Sequence, residues 1–408
     1  ISLFSFFTFD TIYFLHYNDI KLKKFPRTIQ IRERKISGKI SKNTILRKDV
    51  TSMADRVTIQ DIADELGVSR NTVSKAINNT GVLADATRER VLKKAIEMGY
   101  KQFSYINIYG SGKPETDLAP GTNKREISLF TSNFIGNSHF ASTMLDKFQR
   151  ELSSMGYSFT MHRLQEHEIE SLSLPGSYNE ERTAGIICIE MFNKDYCHML
   201  CGLEIPTLFV DSPVADLDKP LKSDCLYMDN QTGIGCFVRE MIRRGKKRIG
   251  FIGDISHCQS FHERFLGYRN AMYLSGIPCP EEYCITKNKT GVKVPGYNPY
   301  REYIMEEIQK RKELPDVFIC ANDFIAVDAM SVFKQLGIRV PQDIYLCGFD
   351  DSPESHVTSP TLTTIHIHSQ IMGFSAVHLL MSRIKEPSLN FRKIYTETSL
   401  IYRESTGD

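Results

Sequence analysis

Residues 57–78 read VTIQDIADELGVSRNTVSKAIN. Thr58 and Asp61 stand three apart, the spacing at which a hydroxyl and a carboxylate cap each other's backbone amides at a helix start. Ile59, Ile62, Ala63 and Leu66 then recur at helical period, and Gly67 can take φ > 0 and end the helix. Ser69 is placed to cap a second helix whose inner face is Val73, Ala76 and Ile77. That leaves Arg70, Asn71, Thr72, Ser74, Lys75 and Asn78 on or near the outer face. Arg and Lys donate to guanine edges and Asn pairs with adenine, so this face suits a duplex groove. The same pattern also suits an ordinary amphipathic hairpin with a solvated polar face.

Working outward, 408 residues allow about two or three domains. The composition is globular, at 41% hydrophobic and 25% charged. The net charge of +2 is unevenly placed: residues 1–52 carry 11 Lys and Arg against 4 Asp and Glu, and the remainder carries 40 against 45. A mildly acidic body argues against generic polyanion binding, so any nucleic-acid contact must come from a local surface. Of the ten cysteines, Cys188, Cys320 and Cys347 lie in apolar runs, where a reduced thiol behaves as a small hydrophobe. Cys197 and Cys201, with His198 between them, form the most metal-like cluster, but no second pair stands at zinc-site spacing. No metal and no cofactor is expected, and a reducing, cytoplasmic setting fits best.

The opening ISLFSFFTFDTIYFLHY is apolar but interrupted by Asp10, and its basic residues follow it, the reverse of a secretory signal. Residues 1–52 are read as upstream sequence translated in frame, with Met53 the start; the competing reading is a disordered basic arm that adds non-specific DNA affinity. Peptides from residues 21–48 in the native protein would overturn the first reading. A third helix is expected from about Asp85 to Met98, with Val91, Leu92, Ala95 and Ile96 inward and Gly99 at its end. Residues 101–126 read as a connector. Phe103–Tyr109 (FSYINIY) is a poor helix former, and GSGKPETDLAPGTNKRE is rich in turn residues.

From Ile127 short apolar runs alternate with amphipathic segments. The expected strands are ISLFTS, YSFTMH, AGIICIE, PTLFVD, CLYMDN, RIGFIGD, YCIT, DVFICAN, DIYLCGFD and LTTIHI. Amphipathic segments lie between many of them, for example Met144–Met155, Gly233–Arg244, Arg264–Ser275, Pro299–Lys312 and Ala326–Leu336. Alternation of this kind predicts an α/β fold of doubly wound parallel sheets. The strands are too many for one comfortable sheet, so two subdomains with a cleft are expected. Asp211, Asp229-Asn230, Asn322-Asp323 and Asp350-Asp351 cluster at strand carboxyl ends, where such folds bind ligands. Each also reads as a helix cap, most readily Asp229-Asn230.

VTIQDIADELGVSRNTVSKAIN closely resembles the helix-turn-helix of the LacI/GalR family of bacterial transcription regulators. IPTLFVDSP, YMDNQTGIG, RGKKRIGFIGD, SFHERFLGYRNAM, ICANDFIAVDAM, VPQDIYLCGFDDSP and SPTLTTI agree with that family in order and spacing. The resemblance implies a three-helix headpiece (56–100), a hinge and linker (101–126) and a periplasmic-binding-protein-like core (127–403). It places the first subdomain at about 127–222 and 366–391, and the second at about 223–365 and 392–403. It further implies a homodimer bound to double-stranded operator DNA, with a small-molecule effector, a sugar or related metabolite, in the core cleft, and no membrane. On it, Arg70, Asn71 and Lys75 read bases; Thr58, Ser69, Ser74 and Asn78 mainly hold phosphates or support the helix, and Thr72 lies among the DNA-binding residues. Asn137, His139 and Phe140 stand where the family's first-subdomain wall lies, and Arg264, Asn322 and Asp350 match the second, with Phe140 or Phe349 offering an apolar face. The hinge departs from the family's pattern, Tyr109 standing at its minor-groove leucine, and Pro175-Gly176 shortens or breaks the helix before AGIICIE.

Three rival functions bear weighing. A transport-system solute-binding protein has the same core but no use for residues 57–78. An enzyme is disfavoured, because Gly250/Gly253 and Gly233/Gly235 make neither a dinucleotide fingerprint nor a P-loop. A regulator governed by a protein partner remains open. The expected function is a repressor whose operator affinity is set by a cleft ligand, inducer or corepressor.

Overall fold

The computed structural model describes residues 57–78, 83–98, 100, 125–132, 139–287 and 298–408. Three helices come first, α1 (Ile59–Leu66), α2 (Arg70–Asn78) and α3 (Asp85–Glu97). Thr58 and Asp61 form the expected capping box, and Gly67 closes α1 at φ 63°, left-handed backbone that glycine adopts without a Cβ penalty. Ile62, Ala63, Val73, Ala76, Ile77, Val91, Leu92 and Ala95 make one buried cluster, which Ile371 and Phe374 from late in the chain complete. The Ile96 side chain and Gly99 lie outside the described residues. Each fully buried Val, Ile or Leu stabilises by roughly 1.5–3 kcal/mol against exposure, so three short helices gain only a modest core.

The body follows as β1 (Glu126–Thr131), α4 (His139–Ser154), β2 (Ser158–Arg163), α5 (Glu166–Glu170), β3 (Thr183–Ile189), α6 (Lys194–Cys201), β4 (Thr207–Val210) and β5 (Asp224–Met228). Then come α7 (Thr232–Arg243), β6 (Ile249–Ile252), α8 (Gln259–Leu274), α9 (Asn298–Gln309), β7 (Val317–Cys320), α10 (Asp323–Gln335), β8 (Tyr345–Cys347) and α11 (Pro353–Val357). The chain ends with β9 (Thr364–Ile367), α12 (Ser369–Lys385), β10 (Lys393–Thr396) and β11 (Thr398–Ile401). Two parallel sheets result, ordered β10-β5-β4-β3-β1-β2 and β6-β7-β8, with β9 and β11 paired antiparallel beside the second. β1, β4, β5, β6 and β7 are buried along their whole length, as strands covered on both faces must be.

The subdomain boundary expected from the sequence is corrected here. β5 pairs with β4 and β10 pairs with β5, so both belong to the first sheet rather than the second subdomain. The start of β5 is fixed by charge: Asp224, 1% exposed, takes Arg383 at 2.9 Å and Arg392 at 2.6 Å, tying it to the end of α12 and the approach to β10. The chain thus passes between the sheets three times, after Met228, after Ile367 and between Thr396 and Thr398. YCIT supplies only a bridge, Ile285 to Ile252, instead of a strand. α5 is short, and Pro175 and Gly176 follow it outside any helix, as the sequence suggested. Among the described residues no helix is long and apolar enough to cross a membrane, and no group of His, Cys, Asp and Glu is placed to hold a metal ion.

Candidate DNA-reading helix and ligand cleft

α2 is shaped by its cap and its inner face. The Thr72 amide donates to Ser69 Oγ at 3.0 Å, and the two hydroxyls lie 2.8 Å apart. Val73, Ala76 and Ile77 are buried, whereas Arg70 and Asn71 are exposed and Thr72, Ser74 and Lys75 half-buried. Thr58 is occupied locally: its amide and hydroxyl both donate to Asp61 Oδ2 at 2.7 Å, and the Asp61 amide returns to its hydroxyl at 3.3 Å. Those bonds hold the Asp61 carboxyl below the usual carboxylate range. Asn78 ends α2, and its side chain, like Tyr109 and the hinge, lies outside the described residues.

The cleft is built from strand ends of both sheets. Arg264, on the second turn of α8, is 3% exposed. Its Nε donates to Asn230 Oδ1 at 3.0 Å, its Nη1 to the Ala321 carbonyl at 2.5 Å, and Nη1 lies 3.5 Å from Asp350 Oδ1. The guanidinium stacks on Phe349, 3.5 Å from the ring centre. Asn230 is itself buried and donates to Glu263 at 2.9 Å and Ser260 at 3.3 Å; Tyr395 donates to Glu263 at 3.0 Å. Contacts with the first sheet come through Asp211, which accepts the Ser260 amide at 3.2 Å, and through the Phe192 and His257 rings, 5.0 Å apart.

Three acids converge there, each with φ > 0: Glu190 (56°) after β3, Asp211 (61°) after β4 and Asp350 (111°) after β8. Such backbone is uncommon for non-glycine residues and gathers where a site shapes the chain. Burial pushes Asp350 up to about 7; Arg264 pulls against that, while Glu190 and Asp211 add to it. Burial likewise raises Asp211, against hydrogen bonds from Ser212 and its neighbours. A guanidinium, an amide and carboxylates around an aromatic face can bracket vicinal hydroxyls, donors and acceptors both being present.

The expected cleft residues divide accordingly. Arg264 and Asp350 are brought together. Asn322 caps α10 by accepting the Ile325 amide at 3.0 Å, beside the Ala321 carbonyl that Arg264 uses. Phe140 is half-buried and packs against the core; His139 begins α4, but its side chain and Asn137 lie outside the described residues. The sequence reading missed Glu190 and Glu263, and it placed Asp229-Asn230 at a strand end but read the pair most readily as a helix cap. Asp229 does the capping, accepting the Gln231 and Thr232 amides at 3.0 and 2.9 Å, which leaves Asn230 free to turn to Arg264.

A two-helix reading unit ahead of a hinged pair of parallel sheets defines a DNA-binding regulator with a ligand-type core. Residues 58–102 match the model of bacterial regulatory proteins of the lacI family, and residues 238–406 that of the periplasmic binding protein-like domain. The chain thus carries a lacI-type helix-turn-helix domain and a periplasmic-binding-protein-like domain, and the relatives it matches are transcription regulators. It is 25% identical over 362 residues to the transcriptional repressor PurR of Photobacterium profundum, covering 86% of this chain and 99% of that one. It is 28% identical over 354 residues to the regulator GalR of Lacticaseibacillus casei, covering 86% and 99%. Similar folds include a CelR–cellobiose complex (24% identity, TM-score 0.60, covering 86% of this chain and 100% of that one). A lac repressor dimer bound to operator and the anti-inducer ONPF gives 20% identity and a TM-score of 0.56, covering 86% and 99%.

Proposed function

We propose that this protein is a cytoplasmic repressor that binds operator DNA as a homodimer through α2 and releases or tightens it when a sugar-like effector enters the cleft. The observation that carries the DNA role is the polarity of α2, with Val73, Ala76 and Ile77 buried and Arg70 and Asn71 exposed. Arg70, Asn71 and Lys75 are the base-reading edge, and Ser69, Thr72 and Ser74 support it. Thr58, engaged with Asp61, sets the angle of α1. Relatives named as repressors, and folds solved with operator and with cellobiose, support this reading.

The effector is polyhydroxylated, because the cleft places acidic acceptors around one stacked arginine. Asp350 and Glu190 come from different sheets, so a ligand held by both changes the angle between subdomains. A thermal-shift screen of sugars, nucleosides and sugar acids on the full chain tests this. One class must raise the melting temperature by mass action, and Asp350→Asn must remove the rise. A shift that survives Asp350→Asn and Arg264→Lys alike puts the ligand elsewhere.

A further inference from the structure

One cluster of nucleophilic side chains lies outside both sites. After α8 the chain returns toward β6. Cys279 sits on that return between Pro278 and Pro280, and Cys284 follows a one-turn 3-10 helix, Glu281–Tyr283. The return is fixed at its far end: the Ile285 amide donates to the Phe251 carbonyl at 2.8 Å and the Gly253 amide to the Ile285 carbonyl at 2.9 Å. Any side chain at Gly250 would collide with the Tyr283 carbonyl. Both cysteines are half-buried and line one cavity of about 460 Å³, with Phe265, Arg269 and Tyr303. Cys284 donates its thiol proton to the Tyr268 hydroxyl at 3.8 Å, and Cys279 lies on the same cavity wall. Tyr268 donates its proton to the Ile249 carbonyl at 2.6 Å, which leaves its oxygen as an acceptor for the thiol.

The other thiols differ. Burial pushes Cys188, Cys258, Cys320 and Cys347 well above the ordinary thiol range, and Cys201 to about 11. Cys279 goes the other way, to about 6, with the neighbouring Cys284 as the largest cause and the Arg269 charge adding to it. A thiolate and a protonated thiol lining one accessible cavity is the arrangement of an attacking and a resolving cysteine.

We propose that Cys279 and Cys284 form a peroxide-responsive dithiol, oxidised by hydroperoxides to an intramolecular disulfide. The Cys279 thiolate attacks the peroxide oxygen, the O–O bond breaks, and the departing hydroxide takes a proton to leave as water. Cys284 then attacks the Cys279 sulfenic sulfur; the S–O bond breaks, and the Cys284 proton leaves with that hydroxide as a second water. Two thiols and one hydrogen peroxide give one disulfide and two waters. The disulfide forms against Tyr268, one helical turn beyond Arg264 on α8, so oxidation acts on the helix that carries the cleft arginine.

The test uses the full chain, reduced, freed of reductant, treated with one equivalent of hydrogen peroxide at pH 7, alkylated and digested with trypsin. The peptide between Arg269 and Lys287 holds both sulfurs. It should come off unalkylated and two hydrogens lighter, revert on reduction, and form about tenfold faster than exposed Cys236 is lost. Cys284→Ser should instead leave Cys279 as a sulfenic acid that dimedone traps. A wild-type peptide that stays reduced while Cys236 oxidises, or that bridges to another cysteine, overturns the proposal.

Discussion

Arg264, itself 3% exposed, is held by an amide, a backbone carbonyl, a carboxylate and an aromatic face. Deleting it strands Asp350 and Asn230, so Arg264→Ala should cost about 3–5 kcal/mol in urea denaturation. Arg264→Lys keeps the charge without the fork or the stack; it should cost less stability yet lose the effector response. Asp350 adds a pH signature. Its folded value is raised to about 7, so the unfolded chain releases this proton first, and stability falls as pH rises from about 4 toward 7. Asp350→Asn should flatten that fall in melting temperature; an unchanged slope would place its origin elsewhere. Arg264 and Asp350 were legible because each sits in a motif whose order and spacing are distinctive. Asn230 was not, since beside Asp229 it looks like half of a helix cap, and only the fold reveals that Asp229 caps alone. Glu190 follows an apolar strand as many carboxylates do, and its left-handed backbone leaves no trace in composition.

At the scale of elements, α1 depends on its cap more than on its eight residues. Thr58→Ala removes the acceptor for the Asp61 amide and should cost about 1 kcal/mol. In the full chain this should appear as faster hydrogen exchange at the Asp61 and Ile62 amides, with Ile249–Ile252 unchanged; equal loss of protection in both would mean global destabilisation. Amphipathic elements were the readable ones. α7 was placed nearly to the residue, because its buried Ile234, Phe237, Val238 and Met241 alternate with polar neighbours. α12 was missed because it is buried on most of its circumference, which erases the periodic contrast that marks a helix. α8 begins at Gln259, earlier than expected, since its cap residue Cys258 makes no side-chain capping bond to announce it. β10 and β11 are four residues each and incompletely buried, too short and too mixed to stand out.

At the scale of the molecule, two sheets were legible from strand number, but the path between them was not. Strand order is a long-range property, and Asp224 meets Arg383 and Arg392 across some 160 residues, at sequence separations of 159 and 168. This clamp should make stability sensitive to acid. Arg383 and Arg392 outweigh burial and hold Asp224 below the usual carboxylate range, so its contribution is full above the unfolded value near 4 and is lost as pH falls through the folded one. Asp224→Asn should cost about 3–5 kcal/mol at neutral pH and lessen the acid sensitivity of unfolding. Operator recognition rests on α2 reading bases. The most direct measurement is selection of duplexes from a random pool by the full chain and by the Arg70→Ala, Lys75→Ala double variant. The wild type should enrich an inverted repeat, and the double variant should lose about 1–3 kcal/mol of discrimination per lost base contact while retaining weak, salt-sensitive binding. Enrichment of the same sequence to the same degree by both proteins, or of none by the wild type, would contradict it.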